Sequence, residues 1–452
     1  MLRKLTPPQL IVISFALVIL LGAFLLMLPP AANGAPVAFI DALFTSASAV
    51  CVTGLIVVDT GTKFTLTGQL IILVLIQLGG LGIMTYSVVF VLLMGRKLAF
   101  REKLLISDTF SQIPVENLGS LVKRIFLFTF IIEGSGALLL FCRWLWDFPW
   151  PRAAYLAVFH AVSAFCNAGF SPFSDSLMGY RADLTVNLVI MGLIVCGGIG
   201  FLVLNELPVY VQAKLKGQHI RLSLHSKLVL SVTTALIVAG ALLIFLAERH
   251  NTLRLLPYGE GMMAAFFQSV TARTAGFNTL DISSFGNASL MVVILLMFIG
   301  ASPGSCGGGV KTTAFGVFIL TSWARLTGRD ETSFYGRTLP DSTVLNAFTI
   351  VTAAIVVLFV FMLLLSVADA GLHLPLAQER CRFLGMFFEE VSAFATVGLS
   401  AGITATLSVF GKILIIMLMF IGRVGPLTVL VFIIRRKSRR SFRYAEEQVM
   451  IG

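Results

Sequence analysis

Four segments of this chain, TSASAVCVTGL, HAVSAFCNAGF, QSVTARTAGFN and EVSAFATVGLS, align on one glycine each: Gly54, Gly169, Gly276 and Gly398. A phenylalanine stands ten residues before each glycine, at Phe44, Phe159, Phe266 and Phe388, and Leu55, Phe170, Phe277 or Leu399 follows it directly. The glycines are 115, 107 and 122 residues apart, so a unit of a little over a hundred residues recurs four times. Such a repeat decides the fold before any local propensity does, because each copy must bury its apolar surface against its neighbours.

Each glycine lies between two hydrophobic spans. The preceding spans cover about 10–28, 125–142, 227–247 and 344–366, and the following ones about 68–94, 185–211, 288–322 (interrupted) and 409–434. Between them runs a stretch such as 39–52 or 386–395, too short to cross a bilayer and apolar enough to enter one, which suits a re-entrant helix. Only 12% of the 452 residues are charged and 57% are hydrophobic, a balance that excludes a soluble globule, in which roughly a quarter would be charged. The expected fold is therefore an all-α integral membrane protein. Its four units, each an outer helix, a pore helix and a second helix, place eight transmembrane helices pseudo-four-fold around one central pore. They occupy 1–94, 95–214, 215–337 and 338–434, followed by a basic tail at 435–452.

Orientation follows from the basic residues near the span ends. Twenty-one lie on the side of the N-terminus, among them Arg96, Lys97, Lys214, Arg329 and six in the tail. Nine lie on the side of the glycine loops: Lys63, Arg143, Arg152, Arg181, Arg249, Arg254, Arg273, Arg380 and Arg382. Both termini are expected in the cytoplasm of a multi-pass plasma-membrane protein. The net charge of +11 is spread between apolar segments instead of forming one stripe, which argues against nucleic acid as a partner. Six scattered cysteines show no zinc or disulfide spacing, and no HExxH or P-loop pattern suggests an enzyme.

Non-helical backbone at membrane depth must be buried in protein or line water. Four glycine loops meeting on one axis satisfy that demand, and their carbonyls can replace the hydration shell of an ion. The candidate filter comprises Val52, Thr53 and Gly54, Asn167, Ala168 and Gly169, Thr274, Ala275 and Gly276, and Thr396, Val397 and Gly398. None carries a formal charge, which favours a weakly hydrated monovalent cation over calcium or magnesium.

These loops, together with SVTARTAGFN at 269–278, FIGRVGPLT at 420–428 and DALFTSASAVCVTGL at 41–55, resemble the Ktr/Trk/HKT superfamily of potassium transporters. Eight spans and PPQL near Pro7 look most like the bacterial Ktr membrane subunit. The resemblance implies potassium uptake through a homodimer whose protomers each hold a pore. It also implies regulation by a cytosolic nucleotide-binding ring that carries ATP or ADP. Potassium is then the substrate, with sodium a candidate activator and no cofactor on this chain. The filter residues differ between units, so looser selectivity than in four identical loops is an open alternative.

Each second helix carries glycines at a similar depth: Gly79, Gly80 and Gly82; Gly197, Gly198 and Gly200; the glycines of 304–309; Gly422 and Gly425. Close helix packing explains them in three units. The third unit reads ASPGSCGGGVKTT, where proline and a glycine run cannot keep a stable helix at costs of about 3 and 1 kcal/mol relative to alanine. An unwound loop below the filter is expected there, with Ser302, Pro303, Gly304, Ser305, Cys306, Gly307, Gly308, Gly309 and Lys311; the resemblance makes it a gate. Arg423 either snorkels to the cytoplasmic interface or donates hydrogen bonds to carbonyls of that loop. Glu133 reads equally as a packing partner or a functional acid, and as the one clear intramembrane acid it weighs against obligatory coupling. His160 reads as a packing residue. Glu389, Glu390, Asp175 and Asp281 are expected at the outer mouth, either as ordinary solvated acids or as attractors of cations. A sodium- or proton-coupled transporter is the competing function.

Overall fold

A computed structural model describes residues 7–82, 118–369 and 376–425. The basic loop around Arg96 and Lys97, the far part of the first second helix and the tail with its six basic residues lie outside them. The first unit contains α1 (Pro7–Met27), α2 (Phe39–Val50), the short α3 (Thr60–Lys63) and α4 (Leu66–Leu81). The second contains α5 (Leu118–Trp144), α6 (Trp150–Phe165), α7 (Leu184–Gly198) and α8 (Phe201–Leu215). The third runs through α9 (Leu224–Glu248), α10 (Tyr258–Thr271), α11 (Asn287–Phe298) and α12 (Thr312–Leu326), then a hairpin of β1 (Ser333–Phe334) and β2 (Arg337–Thr338). The fourth comprises α13 (Asp341–Asp369), α14 (Leu376–Phe394) and α15 (Val409–Val424).

Among the described residues three stretches are long and apolar enough to cross a membrane: Lys123–Trp144, Leu224–Glu248 and Asp341–Ala368. Leu138, Phe130, Leu242 and Phe359 are more than half exposed on them, the surface expected of helices solvated by lipid. Three second helices begin on a capping side chain. Thr65 Oγ1 accepts from Gly68 N, Asp183 Oδ1 from Val186 N and Ser408 Oγ from Gly411 N, at 3.2, 3.0 and 3.1 Å. Each such cap satisfies one of the backbone donors that a helix start leaves unpaired.

The second helices are more broken than the hydrophobic pattern predicts. The expected continuous span 185–211 is two helices, α7 and α8, bent by 107°. Gly200 sits at the bend with φ 92°, and Gly82 and Gly425 end α4 and α15 at φ 81° and 95°. That left-handed conformation is open to glycine and strained for other residues. Other glycines in these helices do serve packing. A Cβ on Gly79, Gly197 or Gly422 would lie 2.0, 1.8 or 1.7 Å from the carbonyl oxygen of Val50, Phe165 or Phe394, the last residue of its own pore helix. The expected gap in the third unit is present, with no helix between Phe298 and Thr312.

Two further differences concern the pore helices. The short helix of the fourth unit, expected over 386–395, reaches back to Leu376. In the third unit the backbone bond that closes the pore helix also spans one residue fewer. Thr53 N, Ala168 N and Val397 N reach back five residues, to Ser48 O, Ser163 O and Ser392 O, whereas Ala275 N reaches back four, to Thr271 O. Phe267, not Phe266, is thus the counterpart of Phe44, Phe159 and Phe388, and all four are fully buried.

Candidate functional site

The four loops leave their pore helices in the same backbone conformation. Val52, Asn167, Thr274 and Thr396 have φ of 57°, 60°, 77° and 52°, and the glycines two residues later have φ of 90°, 69°, 80° and 92°. A positive φ at a β-branched residue is rare, and such strain persists where the surroundings over-determine it, commonly at functional sites. Alternating handedness along three residues turns successive carbonyls toward one side, which a carbonyl-lined conduit requires.

The loops contact one another in cyclic order. A Cβ on Gly54 would lie 2.3 Å from Ala168 O, and one on Gly169 would lie 2.7 Å from Ala275 O. One on Gly276 would lie 2.4 Å from Val397 O, and one on Gly398 would lie 2.0 Å from Thr53 O. Each glycine therefore abuts the carbonyl of the next unit, and the fourth returns to the first. The Lys412–Asp41 ion pair at 2.8 Å ties the same first and fourth units. Hydroxyls at the pore-helix ends strap the loops. Ser48 Oγ and Ser392 Oγ accept from Gly54 N and Gly398 N at 3.0 and 3.1 Å, while Ser163 Oγ and Thr271 Oγ1 donate to Phe170 O and Phe277 O at 2.8 and 2.6 Å. Serine six residues before the glycine in three of the four segments was the sequence signal for these straps.

Outside the ring opens a funnel of about 260 Å³ floored by all four glycines and lined by Asp175 and Asp281. Hydrogen bonds from the Ser283 and Ser284 hydroxyls hold the Asp281 carboxyl below its usual range, so it is ionised at neutral pH. An anionic, concave entrance concentrates cations by focusing the field.

Beneath the ring lies the segment between α11 and α12. It is stitched to the second unit, with Ser302 N donating to Gly198 O at 3.0 Å, Cys306 N to Gly197 O at 3.1 Å and Phe201 N to Gly304 O at 2.9 Å. Gly307 and Gly308 press against the glycine loops, since a Cβ there would lie 2.1 Å from Thr274 Oγ1 or 2.4 Å from Thr396 Oγ1. Lys311 Nζ turns back to donate to Gly307 O at 2.7 Å. Arg423 reaches in from α15 and donates to Cys306 O, to Gly79 O and, at 3.2 Å, to Gly80 O. One guanidinium thus links the segment to the first and fourth units, the fork geometry that arginine supplies and lysine cannot.

The family described as TrkH, cation transport protein, matches residues 3–444. The chain belongs to the TrkH family. It is 41% identical to Ktr system potassium uptake protein B of Bacillus subtilis, over 99% of this chain and 97% of that one. It is 40% identical to the protein of the same name from Vibrio alginolyticus, over 98% and 95%. It is 36% identical to the potassium/sodium uptake protein NtpJ of Enterococcus hirae, over 100% and 98%. The fold matches the crystal structure of the potassium transporter TrkH from Vibrio parahaemolyticus with a TM-score of 0.72, covering 94% of this chain and 84% of that one at 18% identity. The resemblance read from the glycine loops is thereby established, and the chain is a member of the Ktr/Trk group of the family.

Several polar residues of this TrkH-family chain sit elsewhere than the pattern suggested. Glu389 and Glu390 are buried and do not face the outer mouth. Glu389 accepts from Ser400 Oγ (2.5 Å), Thr404 Oγ1 (2.6 Å) and Ala401 N (3.0 Å), bracing the chain just beyond the fourth glycine loop. Glu390 lies buried on the pore helix, and neither carboxyl oxygen is hydrogen-bonded among the described residues. Glu133 is consequently not the one acid within the membrane domain. It accepts from Gln77 Nε2 at 3.3 Å and lies 3.8 Å from Cys166 Sγ, pairing α5 with α4 and with the end of α6. His160 is a packing residue, its ring nitrogens 2.8 Å from Leu156 O and 2.9 Å from Ser171 Oγ. Arg273, counted among the outer basic residues, is only 7% exposed at the end of the third pore helix, with Nη1 donating to Thr233 O at 3.3 Å. Removing it from the outer count sharpens the charge asymmetry.

Proposed function

We propose that this protein takes up potassium across the plasma membrane through the ring of four glycine loops, and that the segment 301–313 with Arg423 gates it from the cytoplasmic side. The observation that carries the reading is the cyclic contact of each filter glycine with the carbonyl of the next unit. Uncharged backbone oxygens at that ring suit a weakly hydrated monovalent cation. The potassium uptake proteins among its relatives, matched along nearly their whole length, support the same substrate. In this reading the four units supply eight membrane-spanning helices around one pore, with the broken second helices each counting as one span.

The test is flux in liposomes reconstituted with this chain alone, with rubidium as tracer for potassium and with sodium present or absent. Downhill, sodium-independent flux is the expected result. Saturable uptake that requires a sodium or proton gradient would replace it with the coupled transporter. The buried, unpartnered Glu390 keeps that second reading in play, because such an acid is the usual seat of a coupling ion in membrane proteins.

The protein is further proposed to work as a homodimer with both termini in the cytoplasm, bound to a nucleotide-carrying ring subunit. Twenty-one basic residues on the N-terminal side support this orientation and give a cytoplasmic face suited to an acidic partner. Co-purification with a soluble nucleotide-binding protein, lost on deleting the residues after Ser438, is expected. Because a soluble cytosolic protein reaches the tail only from inside, the same experiment tests the orientation. Retention of the partner and of nucleotide control after the deletion would remove the tail from the docking site.

A further inference from the structure

At the innermost level of the four loops the side chains differ: Val52, Asn167, Thr274 and Thr396. The Asn167 side chain is fully buried and crosses from the second unit to the third, 3.3 Å from Thr274 Oγ1. Two backbone carbonyls flank its amide, Ala164 O at 2.9 Å and Ile194 O at 3.1 Å, and a carbonyl can only accept. The amide nitrogen therefore turns to these two, and the amide oxygen is left to accept the Thr274 hydroxyl proton.

That bond runs along the ring, from one unit to the next, and not toward its axis. A hydroxyl whose proton is held sideways keeps its two lone pairs for other partners. Thr396 Oγ1, at the same level of the fourth unit, has no hydrogen-bond partner among the described residues. Gly307 lies directly under Thr274, so the oriented oxygen sits between the filter and the segment proposed as gate.

We infer that Asn167 is a positioning residue for ion selection: by fixing the Thr274 proton along the ring, it makes Thr274 Oγ1 a pre-oriented acceptor for a dehydrated potassium ion at the cytoplasmic end of the filter. This rests on the filter reading above. It also gives the departure from four identical loops a purpose, since asparagine at this position orders the filter instead of loosening it. Asparagine also tolerates the left-handed backbone there, with φ 60°.

The experiment compares potassium and sodium flux in liposomes for Thr274→Val, Asn167→Gly and the double variant, with Thr274→Ser as the hydroxyl-retaining control. Glycine accepts φ 60° without strain, so Asn167→Gly removes the side chain and spares the backbone. Each single variant is expected to lower the potassium-to-sodium ratio by about fivefold, the loss of one net hydrogen bond. The double variant should fall no further than either single, because both remove the same interaction. Thr274→Ser should stay near wild type. If Thr274→Val shifts the ratio and Asn167→Gly does not, or if the two losses multiply, the inference is wrong and the filter reading survives. If Thr274→Val leaves the ratio at the wild-type value, the filter reading fails at this level and takes the inference with it. Asn167→Leu fills the same space without an acceptor and replaces Asn167→Gly if the glycine variant does not fold.

Discussion

Potassium flux through the Arg423→Ala variant is expected to exceed the wild-type flux by about ten- to a hundredfold, the equilibrium shift that follows from losing one charge-assisted hydrogen bond. The guanidinium donates to Cys306 O in the segment beneath the filter and to Gly79 O and Gly80 O at the end of α4. A glycine run offers almost no side-chain packing, so a small number of polar contacts must hold the segment in place. Arg423→Lys should fall between wild type and alanine, because one ammonium cannot span both sets of carbonyls. Selectivity should not change in Arg423→Ala, since no filter residue is touched. Deleting Gly307–Gly309 should also raise flux, but Gly307 and Gly308 abut Thr274 and Thr396, so its selectivity need not be preserved. Wild-type flux from folded Arg423→Ala and deletion variants would mean that the segment is structural and that the gate lies elsewhere.

Gly276→Ser is expected to abolish conduction or to collapse the preference for potassium over sodium. A Cβ at this position would lie 2.4 Å from Val397 O and 3.3 Å from Gly398 Cα, both backbone atoms of the adjacent loop, so the ring itself must shift. The left-handed φ of 80° adds about 1–2 kcal/mol of local strain. Gly34→Ser separates the two causes. Gly34 has φ 75°, yet nothing lies within 4 Å of a Cβ there, so this variant carries strain without collision. It should conduct with wild-type selectivity. Flux measured with potassium and with sodium on both purified variants decides the matter: a selective Gly276→Ser protein would remove this loop from the pore.

The glycine loops and the unwound segment between α11 and α12 were legible because they rest on short-range signals. Matched spacing marks the repeat, a glycine run with proline breaks a helix wherever it stands, and a dozen apolar residues cannot span a bilayer. The shorter closing bond before Gly276 was hidden. Phe266 fits the ten-residue spacing and Phe267 stands beside it, and only the backbone bond from Ala275 N to Thr271 O tells which is the counterpart of the other three. The bend at Gly200 was hidden for a related reason. Gly197, Gly198 and Gly200 fit helix packing, and the positive φ of Gly200 becomes visible only with Phe201 N bound to Gly304 O of another unit.

Polar side chains were the least readable. Glu389, Glu390 and Arg273 look like ordinary surface charges beside a loop, yet all three are buried at pore helices. Burial of a charged group depends on what surrounds it, and those neighbours lie beyond the reach of helical periodicity: Thr404, past the glycine loop, faces Glu389, and Thr233, on the preceding long helix, faces Arg273. The same holds for Arg423, whose partners Cys306 and Gly79 are more than a hundred residues away. The sequence by itself determined what each unit is, because hydropathy, glycine and proline act on the local backbone. Only the tertiary structure decided which loop touches which, and so where the candidate filter, its straps and its candidate gate meet, because those contacts join groups that no local spacing relates.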